Sequence, residues 1–98
     1  MYSDMSLESL RAEINALDTE IIQLIARRQE LAPKIAKIKI HKGIPIHDEK
    51  RTEVVLSQVF ERAVEYKIDP VAVQQIFEIL IAMNEDRQHS CSGEGNLP

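Results

Sequence analysis

Arg28 and Lys39 occupy positions on a helix where apolar side chains are expected. Between Ser6 and His41 the sequence has no glycine, and Pro33 is its one helix breaker. On a wheel turned about 100° per residue, Ile35 and Leu17 fall about 20° to one side of Arg28. Ile21 and Lys39 fall about 20° to the other side. Both cations are thus centred on the stripe drawn by Leu10, Ile14, Leu17, Ile21, Leu24, Leu31, Ile35 and Ile38. Arg11 falls nearer its edge. Farther along, Asp48 and Arg51 stand three apart on one side of a second helical segment. Asn84 and Gln88, four apart, continue the apolar run Val73, Phe77, Leu80 and Ile81.

One arginine on an apolar face is usually snorkelling or salt-bridged, and a terminal Asn or Gln is usually just a helix end. The conjunction says more. Arg and Lys are almost never fully buried unless paired. Arg11, Arg28, Lys39 and Arg51 face no equal set of acids; Asp18 and Asp48 are the nearby candidates, and Asp48 is well placed to cap a helix. The deficit points to an anionic ligand with more than one acidic group. Arg28 and Lys39 lie about 16 Å apart along the axis, too far to clamp one carboxylate together. They can contact different parts of one small ligand lying between helices. Other chemistries find little support. His41, His47 and His89 have no ligand spacing to one another or to Cys91, so no metal is expected. The three glycines are isolated, which excludes a phosphate-cradling loop. No Ser or Cys has an obvious His base. An enzyme built on these residues works without a cofactor and without covalent catalysis.

The elements that must carry these residues are helices. Ser6 is a plausible N-cap, with Glu8 in the first turn. The long helix runs from Ser6 to about His41, with Lys37, Lys39 and Lys42 suiting its negative end, and "KGIPI" stops it with Gly43 and Pro45. A second helix reads from about Asp48, its N-cap, to Tyr66. A third starts at "KIDPVAV", with Asp69 as N-cap and Pro70 at the first helical position, and runs to about Gln88. The expected fold is all-α: three helices per chain, one domain over residues 1–90, and a disordered tail over residues 91–98. The first helix, about 54 Å long, exceeds what two shorter helices can cover. Its stripe is therefore expected to continue onto a second copy, as a homodimer with the long helices packed together. Pro33 lies about 140° from Arg28 and is expected to bend the helix from its solvent side, drawing Arg28 and Lys39 together.

Bulk properties agree. The chain of 98 residues is 44% hydrophobic and 29% charged, with a net charge of -4. That charge, without basic runs interleaved with aromatics, argues against a nucleic-acid partner. No apolar stretch approaches the ~20 residues of a membrane span, and no signal peptide is evident. One cysteine excludes an intrachain disulfide, and a cytoplasmic location is the default. A sequence this short leaves no room for a fused second enzyme, so a single activity is expected.

The stretches "LRAEINALDTEIIQLIARRQELAPKIAKIK", "GIPIHDEKR" and "NEDRQ" together resemble the all-helical, AroQ-class chorismate mutases over about residues 6–90. L-R-x-x-I-x-x-L-D, R-x-E-L-A, K-x-K and P-x-x-D-x-x-R, in that order, carry the resemblance. It implies an intertwined homodimer of three-helix chains that rearranges the dicarboxylate chorismate to prephenate, a pericyclic step of phenylalanine and tyrosine biosynthesis, without a cofactor. It implies that Arg28, and Arg11 reaching across from the partner chain, bind substrate carboxylates. Lys39 and Gln88 then hydrogen-bond the ether oxygen. Arg51 and Asp48 line the pocket near carboxylate and hydroxyl, and Asn84, where many members have Ser, assists a carboxylate contact. Thr52 departs from the pattern: members carry Glu there, against the ring hydroxyl. Glu53 lies about 100° round the helix and cannot substitute. Two alternatives accompany this reading: an isochorismate-pyruvate lyase of the same fold, and a non-catalytic helical dimerisation or regulatory domain.

Overall fold

Each helix begins where a short polar side chain offers an oxygen to backbone N–H groups that have no partner in the first turn. The Ser6 hydroxyl accepts from the Ser9 N–H at 3.1 Å, and Asp48 Oδ1 accepts from the Arg51 N–H at 3.1 Å. Asp69 Oδ1 accepts from Val71 and Ala72 at 3.0 and 3.3 Å. These caps open three helices in the computed structural model, which describes residues 6–91: α1 (Leu7–Lys42), α2 (Glu49–Glu65) and α3 (Pro70–Cys91). The described residues contain no strand.

α1 ends as "KGIPI" requires. Gly43 adopts φ 68°, its N–H donates to the Ile40 carbonyl, and the Ile44 N–H donates to the Lys39 carbonyl at 2.8 Å. These are the two hydrogen bonds of a left-handed helix terminus, where glycine carries no Cβ penalty. α2 ends in the same way, but with Lys67 at φ 60° in the glycine's place. α3 runs three residues past the expected end at Gln88 and closes at Cys91, so His89, Ser90 and Cys91 are helical. No glycine or proline intervenes before Gly93 to stop it sooner. Residues 92–98 of the expected tail lie outside the described residues.

α3 packs on both α1 and α2, whereas α1 and α2 do not approach one another within 8 Å between Cα atoms. The face of α1 that meets α3 is not the Leu/Ile stripe. It is the flank bearing Ala32 and Ala36, both buried, and Ile25 and Gln29, both half-buried. The two alanines let the backbones come close enough for side chains to bond across to main-chain carbonyls. Arg28 Nη1 donates to the Leu80 carbonyl at 3.3 Å, Gln29 Nε2 to Met83 at 3.3 Å, and Asn84 Nδ2 to Arg28 at 2.9 Å. Pro33 borders this contact and is half-buried rather than directed at solvent, because α3 occupies the flank between it and the stripe. α1 continues as helix through Pro33.

The result is a single layer of helices. The chain measures 60 × 31 × 16 Å. Its radius of gyration is 17.9 Å, against about 13 Å for a compact domain of this length. Ala32, Ala36, Val59 and Ala63 are its buried apolar residues. Domains ordinarily bury a core between two packed layers.

Candidate active site

The three helices converge on one cavity of about 320 Å³. α1 contributes Arg28, Ile35 and Lys39. The α1–α2 loop and the start of α2 add Ile46, Asp48, Arg51, Thr52 and Val55; α3 adds Ile81, Asn84, Glu85 and Gln88. Arg28, Lys39, Asp48, Arg51, Thr52, Asn84 and Gln88, singled out in the sequence, thus line one cavity. Arg11 does not. It is exposed, and its seventeen-residue separation from Arg28 is about 26 Å of helix.

Lys39 is held at both ends. Its carbonyl accepts from the Ile44 N–H in the helix terminus, and its ammonium donates to the Ile46 carbonyl in the same loop. An ammonium has three donors. One is committed, and two remain for a ligand. Arg28 is half-buried; its guanidinium lies 5.8 Å from the centre of the Phe77 ring and donates to the Leu80 carbonyl. α3 thereby fixes Arg28 by a cation–π contact and a hydrogen bond. Arg51 is exposed on the first turn of α2. Among the described residues, none of Arg28, Lys39 and Arg51 has a carboxylate within 4.0 Å. Three cations thus share one cavity without a direct ion pair among the described residues.

The amides form an ordered chain. Asn84 Nδ2 donates to the Arg28 carbonyl, which can only accept, so Asn84 Oδ1 must face Gln88. Gln88 Nε2 donates to that oxygen at 2.7 Å. The second N–H of Gln88 is then free for a ligand. Gln88 is the buried polar residue of the fold, and its Oε1 finds no partner. An unmet buried acceptor costs about 1–3 kcal/mol, and such groups collect at binding sites. Asn84 thereby holds Gln88 and the Arg28 backbone, and the second N–H of its Nδ2 remains for a ligand in the cavity it lines.

Thr52 and Asp48 are also partly committed. The Thr52 hydroxyl donates to the Asp48 carbonyl at 3.1 Å, leaving only acceptor capacity toward the cavity. Asp48 Oδ1 caps α2, leaving Oδ2. Glu85 is the wall residue that the sequence reading missed. It lies about 40° round the helix from Ile81, at the edge of the apolar stripe, and that spacing was the available signal. It pairs with His47, whose Nδ1 lies 3.1 Å from Glu85 Oε1 and whose Nε2 lies 2.9 Å from Glu49 Oε2. Hydrogen bonds to Glu49 and then Glu85 raise the His47 pKa above 6.5. Among the described residues there is no cluster of three or more metal-ligating side chains.

Comparison with known proteins agrees with this geometry. Residues 10–89 match the family model of chorismate mutase type II. A chorismate mutase of Methanocaldococcus jannaschii is 35% identical over 82 residues, which cover 84% of this chain and 83% of that protein. The bifunctional chorismate mutase/prephenate dehydratase of Escherichia coli is 30% identical over 81 residues, and this chain spans only 21% of its length. A solved structure, a conserved hypothetical protein from Pyrococcus furiosus, superimposes with a TM-score of 0.64 at 38% identity, covering 84% of this chain and 93% of that one. With three unpaired cations and an ordered amide in one interhelical cavity, and with a family match over residues 10–89, the chain belongs to the chorismate mutase type II family.

Proposed function

We propose that this chain, a chorismate mutase and hence an isomerase, rearranges chorismate to prephenate in the α1–α2–α3 cavity, and does so as a homodimer. The observation that carries the site assignment is the trio Arg28, Lys39 and Arg51, unpaired in one cavity beside the free N–H of Gln88. Chorismate is a dicarboxylate with an ether bridge and a ring hydroxyl. Arg28 and Arg51 supply charge for carboxylates. Arg11 cannot reach its own cavity, so it serves that of the partner subunit. Two further features support the homodimer: the single-layer fold, and a Leu/Ile stripe left open along α1, with Leu17 52% and Ile21 54% exposed.

The reaction needs no proton transfer and no nucleophile. As the C–O bond breaks ahead of C–C bond formation, negative charge builds on the ether oxygen. Lys39 and Gln88 aim fixed donors at that charge, worth roughly 2.7–4 kcal/mol each in the transition state. The arginines hold the flexible substrate near its reactive shape, so the orientational entropy is met on binding. Asn84 sets which atom of Gln88 faces the substrate. Thr52 accepts from the ring hydroxyl, a weaker contact than a carboxylate would make. A cytoplasmic setting, where a lone thiol such as Cys91 stays reduced, belongs to the same reading; no described helix is long and apolar enough to cross a membrane.

The test is consumption of chorismate with prephenate detected, for the wild type and for Lys39→Ala. Lys39→Ala is expected to lower kcat by about 10²–10³, the loss seen on removing one such donor. A folded wild-type protein without turnover would refute the reading. Because Gln88 donates without being protonated, kcat is expected to stay nearly level around neutral pH. A steep fall in kcat between mildly acidic and neutral pH would remove Gln88 from its role.

A further inference from the structure

Glu85 is an acid in the wall of a cavity built for a dianion. Its side chain is 21% exposed, and it shares the cavity with Arg28 and Lys39 of α1, with Asp48, the N-cap of α2, and with Arg51 of α2. Instead of pairing with any of those cations, it meets His47 of the α1–α2 loop, 3.1 and 3.3 Å from Nδ1. The other ring nitrogen meets Glu49 of α2 at 2.9 Å. A neutral imidazole has one N–H and one lone pair. Placed between two carboxylates, it would point that lone pair at one of them. Only the imidazolium satisfies both contacts. Other charged groups close to His47 are Lys39, whose ammonium donates to the neighbouring Ile46 carbonyl, and Asp48, Lys50 and Arg51, which follow it in the chain.

We propose that His47 is the cation that masks Glu85, and that this pair sets how tightly the cavity takes its dianionic substrate. Masked, Glu85 leaves the field of Arg28, Lys39 and Arg51 intact. Unmasked, it opposes the substrate's carboxylates. Glu85 is thus a specificity-determining residue and His47 a positioning residue that acts through it. The raised pKa of His47 is consistent with this arrangement. The sign follows: below that pKa the mask is on and binding is tight, and as pH rises through it the mask is lost and KM climbs. The transition-state donors Lys39 and Gln88 are untouched, so kcat stays level. Because the His47 side chain is 58% exposed, salt weakens both the mask and the penalty for losing it.

The inference rests on a dianionic substrate, and steady-state kinetics on chorismate from pH 5.5 to 8.5 test it. In the wild type KM is expected to rise about threefold to tenfold across the His47 titration at constant kcat. The isosteric Glu85→Gln variant should hold KM low and level throughout. His47→Gln should hold it high at every pH, and the double variant should behave as Glu85→Gln does. A wild-type KM independent of pH would overturn the proposal. So would a Glu85→Gln variant, folded by circular dichroism, whose KM exceeds that of the wild type at low pH; that result would mean Glu85 grips the substrate directly, adding a carboxylate contact to the weaker one that Thr52 makes. Calorimetric binding of prephenate, the dianionic product, gives the same comparison without turnover. Absence of turnover would therefore refute the functional reading, while the pH dependence of binding would still decide the mask.

Discussion

From Ile25 to Lys39, α1 is covered on one flank by α3 and ends in the cavity; from Leu10 to Leu24 every residue is exposed. The two halves carry the same periodicity. In the C-terminal half, Ala32 and Ala36 bring α3 close, and its carbonyls and amides fix Arg28 and Gln88. In the N-terminal half, Leu10, Ile14, Leu17 and Ile21 stay 41–56% exposed. Arg28 is centred on the stripe and faces the cavity, whereas Arg11 stands nearer the stripe's edge and is exposed. One half is a site wall and the other is an unpartnered surface. The difference locates the boundary between what one chain builds and what, on our reading, takes two.

Removing a cation from each half breaks the comparison most sharply. Arg28→Ala and Arg11→Ala should each lower kcat/KM by about 10-fold to 10²-fold, since charged hydrogen bonds contribute roughly 1.5–3 kcal/mol. Mixing the two inactive variants should restore activity. Half of the dimers would be mixed, each with one complete site of two, giving about a quarter of wild-type turnover. No recovery on mixing would place Arg11 outside the partner's site.

Leu17→Asp asks whether the bare half is covered in solution. On a free surface such a change is worth within about 0.5 kcal/mol. Across a dimer face it leaves an unpaired buried charge costing about 3–5 kcal/mol. Analytical ultracentrifugation should show dissociation to monomers, with loss of activity. A variant of unchanged mass and stability would mean that the stripe faces water.

The smallest effect sharpens the comparison at the ends of α1 and α2, which share one terminus geometry. Gly43→Ala should destabilise the fold by about 1 kcal/mol, because a Cβ in the left-handed region is strained even though Gly43 has open space beside it. Lys67→Gly should stabilise it by a few tenths to about 1 kcal/mol by relieving the same strain. Thermal melts should move a few degrees in opposite directions. Only Gly43→Ala should also alter kcat, since Lys39 is tied into that terminus and not into the other.

Much of the fold was determined by the sequence alone, because its signals act over three or four residues. The caps at Ser6, Asp48 and Asp69, the stop at Gly43 and the apolar stripes depend on contacts within one helical turn. The cations on the stripe were visible for the same reason, and Arg28, Lys39, Arg51 and Gln88 met in one cavity as their patterns implied. What only the tertiary structure decided lies where two helices cross. Periodicity identifies an apolar face but not which flank a neighbour chooses. α3 chose the alanine flank because small side chains permit close backbone approach, and this left the Leu/Ile stripe open and Pro33 half-buried. That crossing also turned Asn84 onto the Arg28 carbonyl and brought Glu85 to His47, thirty-eight positions away in the chain. No local rule links those residues; the packing of α3 against the α1–α2 loop does.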